Sequence, residues 1–139
     1  MMNILIINGV NMNMLGKRKP SLYGAQTLLQ LEQQVAAHAL TRGASVVAMQ
    51  SNIEGELVNI LQQTDADAVV INAGAYSHYS IALRDCIEDM SVPVVEVHMT
   101  DIYAREEFRH VDVLADVCTA RFYGKGVQSY LDAVDFLTK

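Results

Sequence analysis

Residues 93–98 read Pro-Val-Val-Glu-Val-His, and residues 68–72 read Ala-Val-Val-Ile-Asn. Each is a short β-branched run bounded by turn formers, the pattern of a strand buried on both faces of a parallel sheet. Working outward, residues 3–8 (Asn-Ile-Leu-Ile-Ile-Asn) and 44–50 (Ala-Ser-Val-Val-Ala-Met-Gln) repeat the pattern, and a weaker version lies near 117–123. The intervening stretches have helical spacing instead. Leu28, Leu31, Val35 and Ala39 mark one apolar face, and Leu57, Ile60 and Leu61 a second. Leu83, Ile87 and Met90 mark a third, and Val127, Tyr130, Leu131, Val134 and Leu137 a fourth. Gly43 stands where a helix C-terminus wants glycine, and Pro93 opens the strand that follows the third helical run. No internal repeat, low-complexity tract or linker interrupts the alternation. The reading is one α/β domain over residues 1–139: a flavodoxin-like, doubly wound five-stranded parallel sheet of strand order 2-1-3-4-5.

Composition narrows the function classes. Hydrophobic residues are 51% of the 139 and charged residues 19%, which places the chain among folded globular domains rather than disordered ones. A formal net charge of -6 argues against nonspecific nucleic-acid binding. The positive charge is clustered, with Lys17, Arg18 and Lys19 in a row and Arg105 and Arg109 four apart. Such a cluster suits either a small anionic ligand or a solvated basic loop. Cys86 and Cys118 sit in apolar segments without metal-ligand spacing, so two buried thiols in a reducing compartment are expected. The opening Met1-Met2-Asn3 has no basic leader, and no apolar run nears the ~20 residues of a membrane span. A cytoplasmic protein is expected.

In doubly wound sheets, ligands bind beyond the carboxyl ends of the strands. The segments there are residues 9–13, 51–52, 73–78 and 98–101, all rich in Asn, Gly, Ser and His. The stretch 10–24 stands out because the other strand–helix connections are short, and it is expected to be an active-site lid. No Gly-x4-Gly-Lys-Ser/Thr phosphate loop is present, and Gly124-Lys125-Gly126 is too short for a dinucleotide fingerprint. The histidines at 38, 78, 98 and 110 show no ligand spacing, so no metal is expected. Glu96 and His98, two apart on one strand, project from the same face. A carboxylate beside an imidazole orients it and favours its charged form, making a general acid, although a structural contact would look the same. Tyr23 follows Arg18 by five residues. A loop tyrosine is ordinarily packing; its alternative here is a phenolate base beside a guanidinium. Ionising an ordinary phenol at pH 7 costs roughly 4 kcal/mol. A cation at ~4 Å returns about as much at an effective dielectric near 20.

The words around these groups carry a resemblance. Asn8-Gly-Val-Asn-Met-Asn-Met-Leu-Gly-Lys-Arg-Lys-Pro-Ser-Leu-Tyr-Gly24 resembles the opening signature of type II dehydroquinases (3-dehydroquinate dehydratases). Gln50-Ser-Asn-Ile-Glu-Gly55, Asn72-Ala-Gly-Ala-Tyr-Ser-His78, Ala82-Leu-Arg-Asp85, Glu96-Val-His98 and Arg105-Glu-Glu-Phe-Arg-His110 resemble further family blocks in the same order. The resemblance implies reversible dehydration of 3-dehydroquinate to 3-dehydroshikimate through an enolate, without metal, cofactor or Schiff base. It implies that Tyr23 is the base, that Arg18 favours its ionised form, and that Asn11 stabilises the enolate. His98, oriented by Glu96, would protonate the departing hydroxyl. Asn72, His78 and Arg109 would bind the substrate's polar groups, with Met99 and Thr100 taking its carboxylate through their backbone amides. Arg105 corresponds to a lid-contacting arginine and Asp85 to a residue reaching a neighbouring subunit's site. The assembly implied is a dodecamer built from trimers. Val10, Lys19 and Tyr79 depart from the usual proline, glutamate and threonine, and the stretch 118–123 is the least family-like. Arg121 within it would be costly if fully buried there.

Overall fold

In a computed structural model describing residues 1–139, the first strand lies inside the sheet, next to one edge. Strand β1 (Met2–Asn8) lies between β2 (Ala44–Gln50) and β3 (Ala68–Asn72); β4 (Val94–His98) and β5 (Ala120–Tyr123) extend the β3 side. Every pairing is parallel and the order is β2-β1-β3-β4-β5, as the alternation implied. The helices are α1 (Pro20–Tyr23), α2 (Leu28–Thr41), α3 (Glu54–Gln63), α4 (Ile81–Glu88) and α5 (Val127–Leu137). None is long and apolar enough to cross a membrane.

The strands' period of two divides the core. Ile4, Ile6, Val70, Val95 and Val97 pack on one face against Leu31, Val35 and Ala39 of α2 and Tyr130, Ala133 and Val134 of α5. Leu5, Ile7, Val69, Ile71 and Val94 pack on the other against Leu57 and Leu61 of α3 and Leu83 and Ile87 of α4. Helix α2 starts in a capping box: Thr27 Oγ1 accepts from the Gln30 amide while Gln30 Oε1 accepts from the Thr27 amide. This satisfies donors the first turn leaves free.

Five features differ from the sequence reading. Strand β4 begins at Val94, one residue after Pro93, and α4 ends at Glu88, short of Met90. The weak strand shrinks to Ala120–Tyr123, because the Val117 and Cys118 amides turn back onto the Leu114 carbonyl. Cys118 is only half-buried, whereas Cys86 is buried as expected. Strand β2, at the sheet edge, leaves Val47 and Met49 exposed, so it is not covered on both faces.

The expected lid, residues 10–24, is structured. It contains a 3-10 turn at Met12–Met14 and helix α1, and it is pinned by the buried side chains of Met12 and Leu15. Its entry is set by two glycines. A Cβ on Gly9 would lie 2.4 Å from the Ala73 carbonyl oxygen, and one on Gly74 would lie 2.8 Å from that of Val10. The backbones leaving β1 and β3 thus interlock where no side chain fits. Gly9→Ala should force them apart and destabilise the fold by about 1–3 kcal/mol, the usual cost of overpacking. Urea unfolding measures this; an unchanged midpoint would mean that the interlock is loose.

Candidate active site

The carboxyl ends of β1, β3 and β4 open onto a cleft with about 490 Å³ of free space, part of it open to solvent. From the connection after β1 come Asn11, Arg18 and Tyr23; from the end of β3 and the turn beyond it, Asn72 and His78. Beyond β4 follow His98, Met99, Thr100, Arg105 and Arg109. Two residues singled out in the sequence do not line the cleft. Glu96 is fully buried behind His98, and Asp85 is exposed on α4.

Asn11 reaches the cleft because its backbone is left-handed (φ 68°), a conformation asparagine tolerates better than most residues. The Asn52 side chain holds its amide at 2.9 Å. Asn72, at the end of β3, donates through Nδ2 to Tyr130 Oη at 2.9 Å and accepts from the Gly74 amide at 3.1 Å. Tyr130 in turn donates to Asn8 Oδ1 at 2.5 Å. This buried Asn8–Tyr130–Asn72 chain links β1, α5 and β3 and fixes the orientation of Asn72. Sequence reasoning read Tyr130 only as part of an apolar stripe, because spacing is blind to a hydroxyl partner so far along the chain.

Two arginines meet Tyr23, one at its oxygen and one at its ring. Arg105 Nη1 donates to the phenol oxygen at 3.0 Å and also lies 3.4 Å from Thr100 Oγ1. The Arg18 guanidinium carbon sits over the ring, 4.8 Å from its centre. Arg105, expected as a lid contact, therefore touches the phenol oxygen of the segment 10–24, while Arg18, five residues before Tyr23, stacks on the π-face. Arg109 is tied through Nε to Glu106 Oε2 at 2.8 Å, and His78 through Nδ1 to the Val111 carbonyl at 2.8 Å.

The Glu96–His98 pair forms as the period-two spacing required: His98 Nε2 donates to Glu96 Oε2 at 2.7 Å. This leaves Nδ1 as the ring nitrogen without a protein partner, on a residue that lines the cleft. A third group was missed. Asp112 Oδ2 lies 3.4 Å from the same Nε2, with its side chain only 2% exposed, and accepts from Arg121 Nη1 at 3.1 Å. Burial opposes a charged imidazole, but hydrogen bonds and charge from Asp112 and Glu96 outweigh it and hold His98 up at about 9. Burial pushes the Glu96 carboxyl up to about 7 against the pull of His98. Asp112 is also desolvated, yet its hydrogen bonds hold it well below the usual carboxylate range. Arg121 is not buried alone: it meets Asp112 and stacks on Tyr123 at 4.8 Å and on Tyr103 at 5.4 Å. Sequence spacing carried no signal for this contact, since Arg121 pairs with Glu96 only through the β4–β5 register.

Glu96, His98 and Asp112 have ligand atoms within 4.8 Å of one another, the one grouping able to hold a metal ion. The Arg121 guanidinium already occupies Asp112 Oδ2, and a metal there would have to displace that fixed cation. The donor set matches a proton-sharing cluster better than a metal centre. Chemically, the cleft pairs an oxygen base candidate on its lid side with a charged imidazole on its sheet side, among several cations.

These features place the chain among doubly wound α/β proteins that work at the carboxyl edge of a parallel sheet. More narrowly, the model of the family Dehydroquinase class II matches residues 2–138, and the chain belongs to that family. A 3-dehydroquinate dehydratase from Leptothrix cholodnii is 48% identical over 133 residues, covering 94% of this chain and 89% of its own. Catabolic 3-dehydroquinase 2 from Neosartorya fischeri is 43% identical, covering 100% of this chain and 94% of its own. Among solved structures, the type II dehydroquinase from Butyrivibrio crossotus superposes with a TM-score of 0.96 at 37% identity, covering 99% of this chain and 98% of its own.

The His98 shift has a consequence for stability. A histidine raised by the fold contributes stability that is complete below its ordinary 6.5 and is lost as pH rises through the folded value of about 9. Urea unfolding between about pH 6 and pH 10 should show this decline, and His98→Gln should lack that step. Parallel curves for the two proteins would contradict the assigned direction.

Proposed function

We propose that this chain catalyses the reversible dehydration of 3-dehydroquinate to 3-dehydroshikimate through an enolate, with Tyr23 as base and His98 as acid. The observation that carries the reading is the Arg105–Tyr23 contact at 3.0 Å, across the cleft from an imidazole backed by carboxylates. Tyr23 removes a proton alpha to the ketone, and the electrons of that C–H bond move into the enolate. Asn11 faces the developing oxyanion, and electrostatic stabilisation of such charge is commonly the largest catalytic contribution. Collapse of the enolate expels the neighbouring hydroxyl, which takes its proton from His98 and leaves as water. The conjugated enone remains. Glu96 orients the acid and supports its charge.

Asn72, His78 and Arg109 contact the substrate's polar groups, and the backbone amides of Met99 and Thr100 receive its carboxylate. Arg18 and Arg105 are the counter-charges of a reacting phenol, one over its ring and one on its oxygen. The segment 10–24 acts as a lid that carries Tyr23 into the cleft. No lysine lines that cleft, in keeping with a mechanism that forms no Schiff base. The reading includes a cytoplasmic home and a dodecamer of four trimers, in which Asp85 reaches the site of a neighbouring subunit. Its exposure on α4 leaves it free to do so.

Two measurements test this reading. Tyr23→Phe and Arg105→Ala should each remove most enone formation from 3-dehydroquinate, and the double variant should be scarcely worse than either, because groups acting in one step are not additive. His98→Ala should lower turnover by roughly 10²–10⁴-fold. Losses at Tyr23 and Arg105 that simply multiply would return the tyrosine to a packing role. Sedimentation should show a dodecamer that dissociates to trimers, and a fully active monomer would sink both the assembly and the role of Asp85.

A further inference from the structure

Glu96 Oε1 is buried and has no hydrogen-bond partner. Such an atom is expensive to leave ionised, because nothing replaces the water it lost. In the same pocket Asp112 is in the opposite situation. Its Oδ2 takes the Arg121 guanidinium at 3.1 Å, and its Oδ1 takes the Leu114 amide at 3.0 Å. Both oxygens are pinned, and Oδ2 points at His98 Nε2 from 3.4 Å. Arg121 is itself fixed between Tyr103 and Tyr123.

We propose that Asp112, anchored by Arg121, is a positioning residue for the acid: it supplies the standing negative charge that keeps His98 protonated. This rests on the reading of His98 as proton donor. Near neutral pH the burial of Glu96 lets that carboxyl take up a proton, and on its own it would then be a partial counter-charge. Asp112 stays ionised there. The division of labour follows from the partners: Glu96 orients the ring through the 2.7 Å contact, and Asp112 sets its charge.

The other ionisable groups around the imidazole come from each packed element. On the Gly74–His78 turn, the His78 ring lies parallel at 6.5 Å between centres. Strand β5 places Tyr123 beside His98 in register, with Arg121 two residues earlier. Cys118, on the loop before β5, is held protonated by burial and by the nearby carboxylates. Arg109 faces His78, and Arg18, Arg105 and Tyr23 lie across the cleft. The charged groups that line the cleft with His98 are cations, so the anions this imidazole meets are Glu96 and Asp112, both outside the cleft lining.

The test follows the imidazole and the reaction together. NMR titration of His98 in Asp112→Asn should place its midpoint about one pH unit or more below that of the parent, as expected for loss of an opposite charge at this range. The alkaline limb of kcat should move down with it. Since Asp112→Asn strands the Arg121 guanidinium, the paired variant Asp112→Asn/Arg121→Met, which strands neither charge, is titrated alongside and should show the same shift. An unchanged midpoint in a folded variant of either kind overturns the proposal and leaves Asp112 as an anchor for β5 only. A merely structural role would lower stability without moving the limb. If His98→Ala kept its turnover, the proton-donor reading would fail, and the NMR midpoint alone would decide the electrostatic role of Asp112.

Discussion

A carboxylate fully buried in an apolar parallel strand is the constraint on which this structure turns. Glu96 is 0% exposed, between Val95 and Val97, in a strand whose other side chains face two hydrophobic layers. An isolated charge there would cost several kcal/mol even after relaxation. The surrounding sequence answers with His98 two residues on, Asp112 from the following loop and Arg121 from the adjacent strand. Alternating charges along this chain bring the cluster close to balance, and each member makes its neighbours tolerable. One end of the chain is a ring nitrogen at the cleft and the other a half-exposed guanidinium. A group that is costly to bury thereby becomes the support of an imidazole at the cleft.

The cleft depends on close backbone approach as much as on side chains. Gly9 against Ala73 and Gly74 against Val10 bring the exits of β1 and β3 together at the sheet's carboxyl edge. Beneath them the Asn8–Tyr130–Asn72 hydrogen bonds tie both exits to α5. Val10 sits directly in this interlock, its carbonyl and Cγ1 facing Gly74. The edge is rigid for that reason, and the residues it presents are held by structure rather than by ligand.

The imidazole and the phenol are mounted differently. His98 ends a central strand with a buried cluster behind it, whereas Tyr23 ends a four-residue helix on the segment 10–24. Arg105 and Arg18 hold the tyrosine from opposite parts of the chain. Lys19 enters that helix with φ 38°, a conformation rare for a residue with a side chain, so the approach to α1 carries backbone strain. The imidazole belongs to the scaffold, and the phenol is placed by contacts made across the cleft.

The amino-acid sequence alone determined the strands, their parallel order and the side of the sheet that carries the cleft. Those follow from periodicities of 2 and 3.6 and from connection lengths, which are local quantities. The same local rule put Glu96 and His98 on one face, and the structure joins them at 2.7 Å. What lay beyond it required distances between elements far apart in the chain. Lateral register decided that Arg121 stands beside Glu96, and a loop path without periodicity decided that Asp112 reaches His98. Packing of the segment after β4 chose Arg105 over Arg18 for the phenol oxygen. Position at the sheet edge, not composition, left Val47 and Met49 of the apolar β2 uncovered. Period along a chain reports which way a side chain points; which side chain it meets is a property of the packed whole, and only tertiary structure decided that.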